Sequence, residues 1–237
     1  MVTGGSLGVV VESSCRLAVV EVYILHCKSP NAGDLLWETY HSFQCQDYPV
    51  KIYVVENGIK VRWLPVDGRL HLPTNEGVSR GYNAGLKHFM AGTGKYAILC
   101  NNDVKVDRSM VSHLVRTAEE ESDCGIVTPR IFYYGTDKIW YDGGSFNEWT
   151  GVTRHEGIRK IGPPDSKVKE TEYATGCCLL IKRECIERVG YLDESFSPCY
   201  SEDTDYSLRA RAAGFKIMVN PKARLWHKIS QSTNIPA

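Results

Sequence analysis

The sequence predicts an α/β fold in which a mainly parallel central sheet is covered by helices. Through the first half of the chain, short runs rich in Val, Ile and Leu alternate with amphipathic segments of helical period. The links between these segments are short and polar, which is typical of strand–helix–strand units. A length of 237 residues with 43% hydrophobic side chains is enough for one large domain with its own core.

The elements of the first half follow in order. We predict strands at 17–25, 51–55, 70–72, 95–100 and 125–127, and helices at 34–43, 78–90 and 107–121. The carboxyl ends of parallel strands meet at one edge of a sheet, where ligands bind. The polar triplets Glu56-Asn57-Gly58 and Asn101-Asn102-Asp103 each follow a predicted strand, so both are expected at that edge.

The second half is less regular and predicts a smaller β region. Residues 136–175 are rich in aromatic residues, Gly and polar groups, which favours irregular strands and a long loop. A strand at 177–181, a short helix ending at Gly190, a helix over about 202–213 and a final strand ending at 226–227 complete the prediction. We expect residues 1–16 to be a loose lead-in and 17–237 to form a single domain.

Composition and charge exclude several classes of protein. Lys and Arg number 28, as do Asp and Glu, and this zero net charge disfavours a broad nucleic-acid-binding face. The longest apolar stretch, 17–25, is too short to span a bilayer, and the N-terminus lacks the basic region of a signal peptide. The nine cysteines show neither CxxC nor zinc-type spacing, which predicts free thiols in a reducing compartment and hence a cytoplasmic protein.

Asp103 and His227 are the candidate metal ligands. Asp103 directly follows a buried strand, so its carboxylate is expected in the cleft, where a divalent cation takes oxygen ligands together with substrate phosphates. His227 follows an apolar strand and, as neutral imidazole, would complete such a site. The structural alternatives are an Asx turn at Asp103 and a hydrogen-bonded structural histidine at 227.

Three carboxylates open the predicted helix at 202–213. Asp205 has Arg209 four residues on, so an ion pair along the helix is its expected role. Asp203 has Ser207 at that spacing, and it is therefore the better candidate for a general base, with Glu202 beside it. The structural alternative is that all three carboxylates only complement the positive end of the helix.

The Gly-rich stretch 75–85 opens the helix at 78–90. Small residues, free backbone N–H groups and Arg80 suit a diphosphate or a nucleoside. A Gly-rich turn with close helix packing is the alternative.

Six blocks of sequence stand out, in chain order ENG, NEGVSRGYNAGL, ILCNNDV, YATGCCLLIKREC, GYLDESFSPCYSEDTDYSLRARAAGF and ARLWHKISQS. Together they resemble the family 2 glycosyltransferases of the GT-A fold, in their rhamnosyltransferase-like branch. They span roughly residues 17–232. The combination is specific, whereas any single block is weak.

The resemblance implies inverting transfer of a sugar from a UDP- or dTDP-linked donor to a hydroxyl of a glycan or glycoconjugate. It implies that 17–135 bind the nucleotide sugar and that 136–237 bind the acceptor and carry catalysis. Mn²⁺ or Mg²⁺ would be held by Asp103, in a triplet that replaces the usual DxD, and by His227. Asp203 would be the base. A membrane-spanning segment is not expected, whereas peripheral contact with a membrane is compatible with the resemblance.

The remaining positions carried over from the family are donor-binding. They are Glu56 and Asn57 near the base or ribose, Arg80, Gly81 and Asn83 along the nucleotide, Asn101 and Asn102 beside Asp103, and Thr175 and Gly176 at the donor sugar. Trp140, Tyr141, Trp149 and Tyr200 offer stacking faces to sugars or else belong to the core.

The chain departs from the family at Glu56, where Asp is usual, and at Leu25-His26-Cys27, where Thr-Tyr-Asn or similar is usual. Because of these departures, the resemblance does not specify which nucleobase the donor carries. Two other classes stay open: a catalytically inactive domain that only binds a nucleotide or glycan, and a nucleotidyltransferase. The latter normally carries a Gly-rich loop with Lys near the first strand, which is absent from ILHCKSPNAGD.

Overall fold

The computed structural model describes residues 19–29, 31–162 and 167–229, so the predicted lead-in at 1–16 lies outside the described residues. The helices are α1 (Ala32–Gln44), α2 (Gly77–Ala91), α3 (Met110–Glu120), α4 (Arg183–Val189) and α5 (Glu202–Ala212), with a short 3₁₀ helix at Glu194–Phe196. The strands are β1 (Val20–Cys27), β2 (Val50–Asn57), β3 (Gly68–Leu72), β4 (Tyr96–Asn101), β5 (Val104–Val106), β6 (Cys124–Tyr133), β7 (Ile139–Tyr141), β8 (Gly144–Asn147), β9 (Val152–His155), β10 (Lys169–Glu170), β11 (Cys178–Lys182) and β12 (Lys216–His227).

The central sheet has the order β10-β12-β6-β11-β4-β1-β2-β3. Strands β3, β2, β1 and β4 are parallel, as predicted for the first half. In the second half β11 inserts antiparallel between β4 and β6, whereas β6 and β12 are parallel to each other. The sheet is therefore mixed, with its parallel part formed by the strands that alternate with helices in sequence.

Alternation of side chains along β1 shows how the sheet is covered on both faces. Val20, Val22 and Ile24 pack with α1 and α3 on one face, whereas Tyr23 and Leu25 pack with α2, α4 and α5 on the other. Because successive side chains of a strand point to opposite faces, a run that is apolar at every position must be covered twice. This accounts for the largely apolar sequence of β1, in which Glu21 and His26 are the exceptions.

One strand, β6, is longer than the sequence predicts. We expected residues 125–127 as a short strand, but β6 extends from Cys124 to Tyr133. Pro129 interrupts its apolar pattern, and β12 accommodates the change with a register shift between Asn220 and Arg224. Strand β12 then continues to His227 in parallel with β6. The smaller β region is β7, paired with β6, and the hairpin of β8 and β9.

The end of β12 joins the two halves of the chain at the carboxyl edge of the sheet. His227 pairs with Val104, the residue that follows Asp103, in the antiparallel ladder of β12 and β5. The N–H of Lys228 donates to the carbonyl of Asp103 at 3.0 Å. Backbone pairing therefore fixes Asp103 beside His227 before any side chain is considered.

No helix within the described ranges is both long and apolar enough to cross a membrane. The eight cysteines in these ranges are free thiols, and five of them are buried.

Candidate active site

A cavity of about 430 Å³ opens beyond the carboxyl ends of β4 and β12. It brings together seven residues that the sequence singles out for donor, metal or base roles: Asn101, Asp103, Thr175, Gly176, Glu202, Asp203 and His227. They come from both halves of the chain.

Asp103 and His227 form the most buried pair in this cavity. Oδ1 of Asp103 lies 3.2 Å from Nε2 of His227, with only 2% and 9% of the two side chains exposed. The second ring nitrogen of His227, Nδ1, is buried and makes no hydrogen bond within the described residues. The Trp140 ring packs edge-on against this imidazole, with centroids 5.0 Å apart.

The pair suits a divalent cation by its donor chemistry. A carboxylate oxygen and an imidazole nitrogen are both ligands that Mn²⁺ accepts, and two protein ligands leave room for substrate phosphates. Within the described residues, no group of three or more His, Cys, Asp and Glu side chains forms a complete metal cluster. The residues present therefore fit a cation that binds together with a phosphate-bearing ligand.

Asp203 lines the cavity from the first turn of α5. Its Oδ2 accepts a hydrogen bond of 2.7 Å from the N–H of Gly176, and its Oδ1 accepts one of 2.7 Å from the N–H of Thr204. Tyr200 and Ser201, which lead into the helix, have φ of 80° and 71°, a left-handed conformation that non-glycine residues rarely adopt. The side chain is thus held in one orientation at the cavity wall.

Glu202 differs from its neighbour in environment. It is only 6% exposed, and its Oε2 has no hydrogen-bond partner among the described residues. Burial, reinforced by the adjacent Asp203 carboxylate, raises the pKa of Glu202 to about 7. Two successive carboxylates therefore have different surroundings, since both oxygens of Asp203 accept backbone hydrogen bonds whereas Oε2 of Glu202 has no partner among the described residues.

Asn101 and Asn102 point in different directions. Oδ1 of Asn101 accepts a 2.8 Å hydrogen bond from the Tyr82 hydroxyl at the cavity wall. The Asn102 amide instead lies 2.8 Å from Nδ1 of His26, below the cavity. Burial lowers the pKa of His26 to about 4, so this imidazole is neutral and accepts the hydrogen bond at Nδ1.

Glu56 and Asn57 do not line this cavity. Oε1 of Glu56 accepts a hydrogen bond from the N–H of Val61, and its Oε2 lies 3.4 Å from Nδ1 of His71. The Asn57 amide donates to the carbonyl of Gly77 and accepts from the N–H of Glu76. Both side chains hold the turns that follow β2 and precede α2.

The three positions of α2 carried over from the family also make contacts outside this cavity. Arg80 bonds to Glu76 and Glu194 at 3.2 Å each. A Cβ on Gly81 would lie 2.4 Å from Cδ1 of Leu25, so this glycine allows α2 to pack on β1. Asn83 exchanges two hydrogen bonds with the main chain of Leu192 and thereby anchors the segment before α5.

Sequence reasoning missed His155 of β9, whose ring lines the cavity. Its segment lies in the irregular part of the sequence, where no strand–turn pattern indicates which side chain faces a ligand. Among the aromatic candidates, Trp140 and Tyr200 line the cavity, Tyr141 is buried and Trp149 is 98% exposed at the tip of the β8–β9 hairpin.

The sheet has a parallel part, and a cavity built from both halves of the chain lies at its carboxyl edge, as the resemblance to the GT-A fold implies. Residues 69–190, just over half of the chain, match the model of Glycosyl transferase family 2. The chain therefore belongs to glycosyltransferase family 2. The match ends before α5 and β12, so Asp203 and His227 lie outside it.

Two curated relatives have glycan-related names. The chain is 27% identical over 145 residues to the low-salt glycan biosynthesis hexosyltransferase Agl10 of Haloferax volcanii, covering 60% of this chain and 46% of that protein. It is 29% identical over 153 residues to the O-antigen biosynthesis protein RfbC of Myxococcus xanthus, covering 61% of this chain and 12% of that protein. The chain thus spans less than half the length of either relative. Neither name specifies the rhamnosyltransferase-like branch, which stays a prediction.

Solved structures share the fold at low sequence identity. GalNAc-T7 with UDP, GalNAc and Mn²⁺ superposes with a TM-score of 0.71 at 17% identity, covering 89% of this chain and 44% of that one. The mannosyltransferase PcManGT from Pyrobaculum calidifontis, with GDP-Man and Mn²⁺, gives 0.62 at 15% identity, covering 91% of this chain and 58% of that one. These likenesses confirm the predicted GT-A fold.

Proposed function

We propose that this domain transfers a sugar from a nucleoside-diphosphate sugar to a hydroxyl group of a glycan or glycoconjugate, with inversion at the anomeric carbon. The observation that carries the proposal is the assembly of Asp103, His227 and Asp203 around one cavity. UDP- or dTDP-linked sugars are the proposed donors. The glycan-related names of the relatives support a glycan acceptor.

Asp103 and His227 are proposed to hold Mn²⁺ or Mg²⁺ at the diphosphate of the donor. Both side chains are nearly buried and 3.2 Å apart, so little reorganisation is needed for them to share one ligand. A bound divalent cation would neutralise charge that develops on the diphosphate leaving group. Thr175 and Gly176, which line the same cavity, are proposed to border the donor sugar.

Asp203 is proposed to take the proton from the acceptor hydroxyl. The hydroxyl oxygen forms a bond to the anomeric carbon while the bond from that carbon to the diphosphate oxygen breaks. The nucleoside diphosphate leaves, and the single displacement inverts the configuration. A carboxylate has about four lone-pair sites, so the hydrogen bonds from Gly176 and Thr204 orient Asp203 and still leave a site for that proton.

The division of the domain at about residue 135 into donor and acceptor halves is part of the same proposal. Asp103 from the first half and Asp203 from the second half agree with this division, whereas the proposed donor-side residues Thr175, Gly176 and His227 also come from the second half. The cytoplasmic location stays a prediction.

A screen of UDP-, dTDP- and GDP-sugars with Mn²⁺ and a mixture of glycan acceptors tests the proposal. We expect metal-dependent release of the nucleoside diphosphate, and proton NMR of the product should show inverted anomeric configuration. Nucleotide binding without turnover would favour the inactive binding domain. Release of pyrophosphate from a nucleoside triphosphate and a sugar phosphate would favour a nucleotidyltransferase.

A further inference from the structure

His155 is a polar group of the cavity for which the proposed mechanism has no role. It ends β9 in the hairpin of the second half, and its ring packs against Trp140 and Tyr141, with centroids 4.5 and 5.1 Å away at nearly perpendicular angles. These contacts, with the Tyr173 ring 6.2 Å away, hold a half-buried imidazole in a fixed position at the cavity wall.

The hydrogen bonding of this ring defines its tautomer. Nδ1 of His155 lies 3.0 Å from the carbonyl oxygen of Trp140. A carbonyl only accepts hydrogen bonds, so Nδ1 carries the proton and Nε2 carries a lone pair. Nε2 makes no hydrogen bond to any residue in the part of the chain that the structure describes. Burial lowers the pKa of His155, which favours this neutral form.

The position of this acceptor relative to Asp203 points to its ligand. Both residues line the same cavity, and the Asp203 carboxylate acts electrostatically on His155. A sugar carries hydroxyl donors on neighbouring carbons. A carboxylate and a neutral imidazole in one cavity are two hydrogen-bond acceptors, which matches a nucleophilic hydroxyl and a second hydroxyl of the same sugar ring.

We propose that Nε2 of His155 accepts a hydrogen bond from a hydroxyl of the acceptor sugar next to the one that Asp203 deprotonates, and thereby selects which hydroxyl is glycosylated. The inference rests on the proposed function. It assigns His155 to the acceptor rather than the donor, because His155 shares the cavity with Asp203, the proposed base for the acceptor hydroxyl, and lies within electrostatic range of that carboxylate.

Two substitutions test the roles of the two ring nitrogens of His155 separately. His155→Asn places an amide donor near the position of Nδ1, so it can keep the bond to the Trp140 carbonyl while losing the group at Nε2. His155→Gln reaches the position of Nε2 and can supply a new acceptor there. We expect KM for the acceptor to rise about tenfold in His155→Asn, the value of one hydrogen bond, with partial recovery in His155→Gln. Binding of Mn²⁺ with UDP should be unchanged in both.

The probes are the methyl glycosides of glucose, galactose, mannose, rhamnose and N-acetylglucosamine. Nitrogen-15 NMR of the histidine rings, with His155 assigned by its absence in His155→Asn, should show the Nδ1–H tautomer. The Nε2 resonance should move when Mg²⁺, the nucleoside diphosphate and an accepted glycoside are present. An Nε2–H tautomer, no movement with any glycoside, or an unchanged acceptor KM in His155→Asn would each overturn the proposal.

Failure of the proposed function has a different signature. A wild-type protein that neither binds UDP, dTDP or GDP with Mn²⁺ nor releases a nucleoside diphosphate contradicts the transferase proposal itself. A wild-type protein that transfers sugar, together with a His155→Asn variant that gives the same linkages and the same acceptor KM, contradicts only the role of His155.

Discussion

The main-chain N–H of Gly176 donates a 2.7 Å hydrogen bond to Oδ2 of Asp203, and this contact ties the segment before β11 to the first turn of α5. Because Oδ1 accepts from the N–H of Thr204, both carboxylate oxygens face backbone donors. Asp203 therefore accepts a backbone hydrogen bond at each carboxylate oxygen, which fixes the orientation of its side chain at the cavity wall.

Asp203→Asn should lower turnover by about 10²–10⁴, the range expected when a general base is lost. Asparagine matches aspartate in size but cannot take the proton of the sugar hydroxyl. Its NH₂ group would also face one of the two backbone N–H donors, so some loss of stability is expected as well. Single-turnover assays with the donor found by screening measure the first effect, and thermal unfolding measures the second.

Asp205→Asn is the matched control in the same helical turn. Nε of Arg209 lies 2.8 Å from Oδ2 of Asp205, which confirms the ion pair expected from the spacing. Both side chains are about one-third exposed, so the loss should be about 0.5 kcal/mol of stability with turnover preserved. If Asp205→Asn were inactive and Asp203→Asn active, the base would be Asp205 rather than Asp203.

Asp103→Ala should abolish the coupling between metal binding and nucleotide binding. Asp103 and His227 alone are too few ligands to hold a cation tightly, so Mn²⁺ and a nucleoside diphosphate are expected to bind together. Calorimetry of UDP or dTDP, with Mn²⁺ and with chelator, measures this coupling. Asp203→Ala should leave it intact. Equal nucleotide affinity in the presence of chelator would contradict the metal assignment for the wild-type protein.

The sequence was most informative where strands are buried on both faces. The apolar runs of β1 and β4, together with the polar triplets at the ends of β2 and β4, predicted the parallel part of the sheet and its functional edge. The length of β6 and the antiparallel insertion of β11 could not be predicted, because they depend on pairing between distant segments. Pro129 in β6 even argues against a continuous strand, and the register shift in β12 compensates for it.

In the candidate site, too, contacts between distant segments could not be predicted from the sequence. The pattern singled out Asp103 and His227 separately, and the pairing of His227 with Val104 brings them together. Family resemblance also marked Gly81 and Asn83, whose contacts are with Leu25 and Leu192. Such positions recur in a family for packing as readily as for binding. His155 carried no sequence signal, since a lone histidine in an irregular segment has no preferred face.

Gly81→Ala should destabilise the protein by about 1–3 kcal/mol, the typical effect of overpacking. Its added Cβ would lie 2.4 Å from Cδ1 of the buried Leu25. Gly33→Ala in α1 is the matched control, because the nearest atom to its Cβ would be 3.9 Å away, and alanine should stabilise this helix by about 0.5–1 kcal/mol. Chemical denaturation measures both. Weaker nucleotide binding by a stably folded Gly81→Ala would instead support the predicted contact with the nucleotide.

Glu202→Gln should make the protein more stable than the wild type at neutral and alkaline pH. The difference in stability between the two proteins should be smaller at acidic pH. The carboxyl group has a pKa of about 7 in the folded protein against the ordinary 4.5, because it is buried and lies next to Asp203. The folded state thus holds this proton more tightly than the unfolded state does. Below about pH 4.5 the group is protonated in both states and carries no penalty. As pH rises from 4.5 to about 7, the carboxyl group ionises in the unfolded chain but stays protonated in the folded protein. The free energy of unfolding therefore falls, and the contribution of Glu202 to stability is lost.

The size of the effect follows from the same shift. At about 1.4 kcal/mol per pKa unit, the difference between Glu202→Gln and wild type should grow through this window by up to about 3 kcal/mol and then level off above pH 7. Glutamine keeps the shape of the side chain and cannot ionise. Denaturant titrations of both proteins between pH 4 and 8 give the difference directly, and the exposed Glu187→Gln serves as the matched control. A constant difference across that range would mean that Glu202 ionises as readily in the folded state as in the unfolded chain.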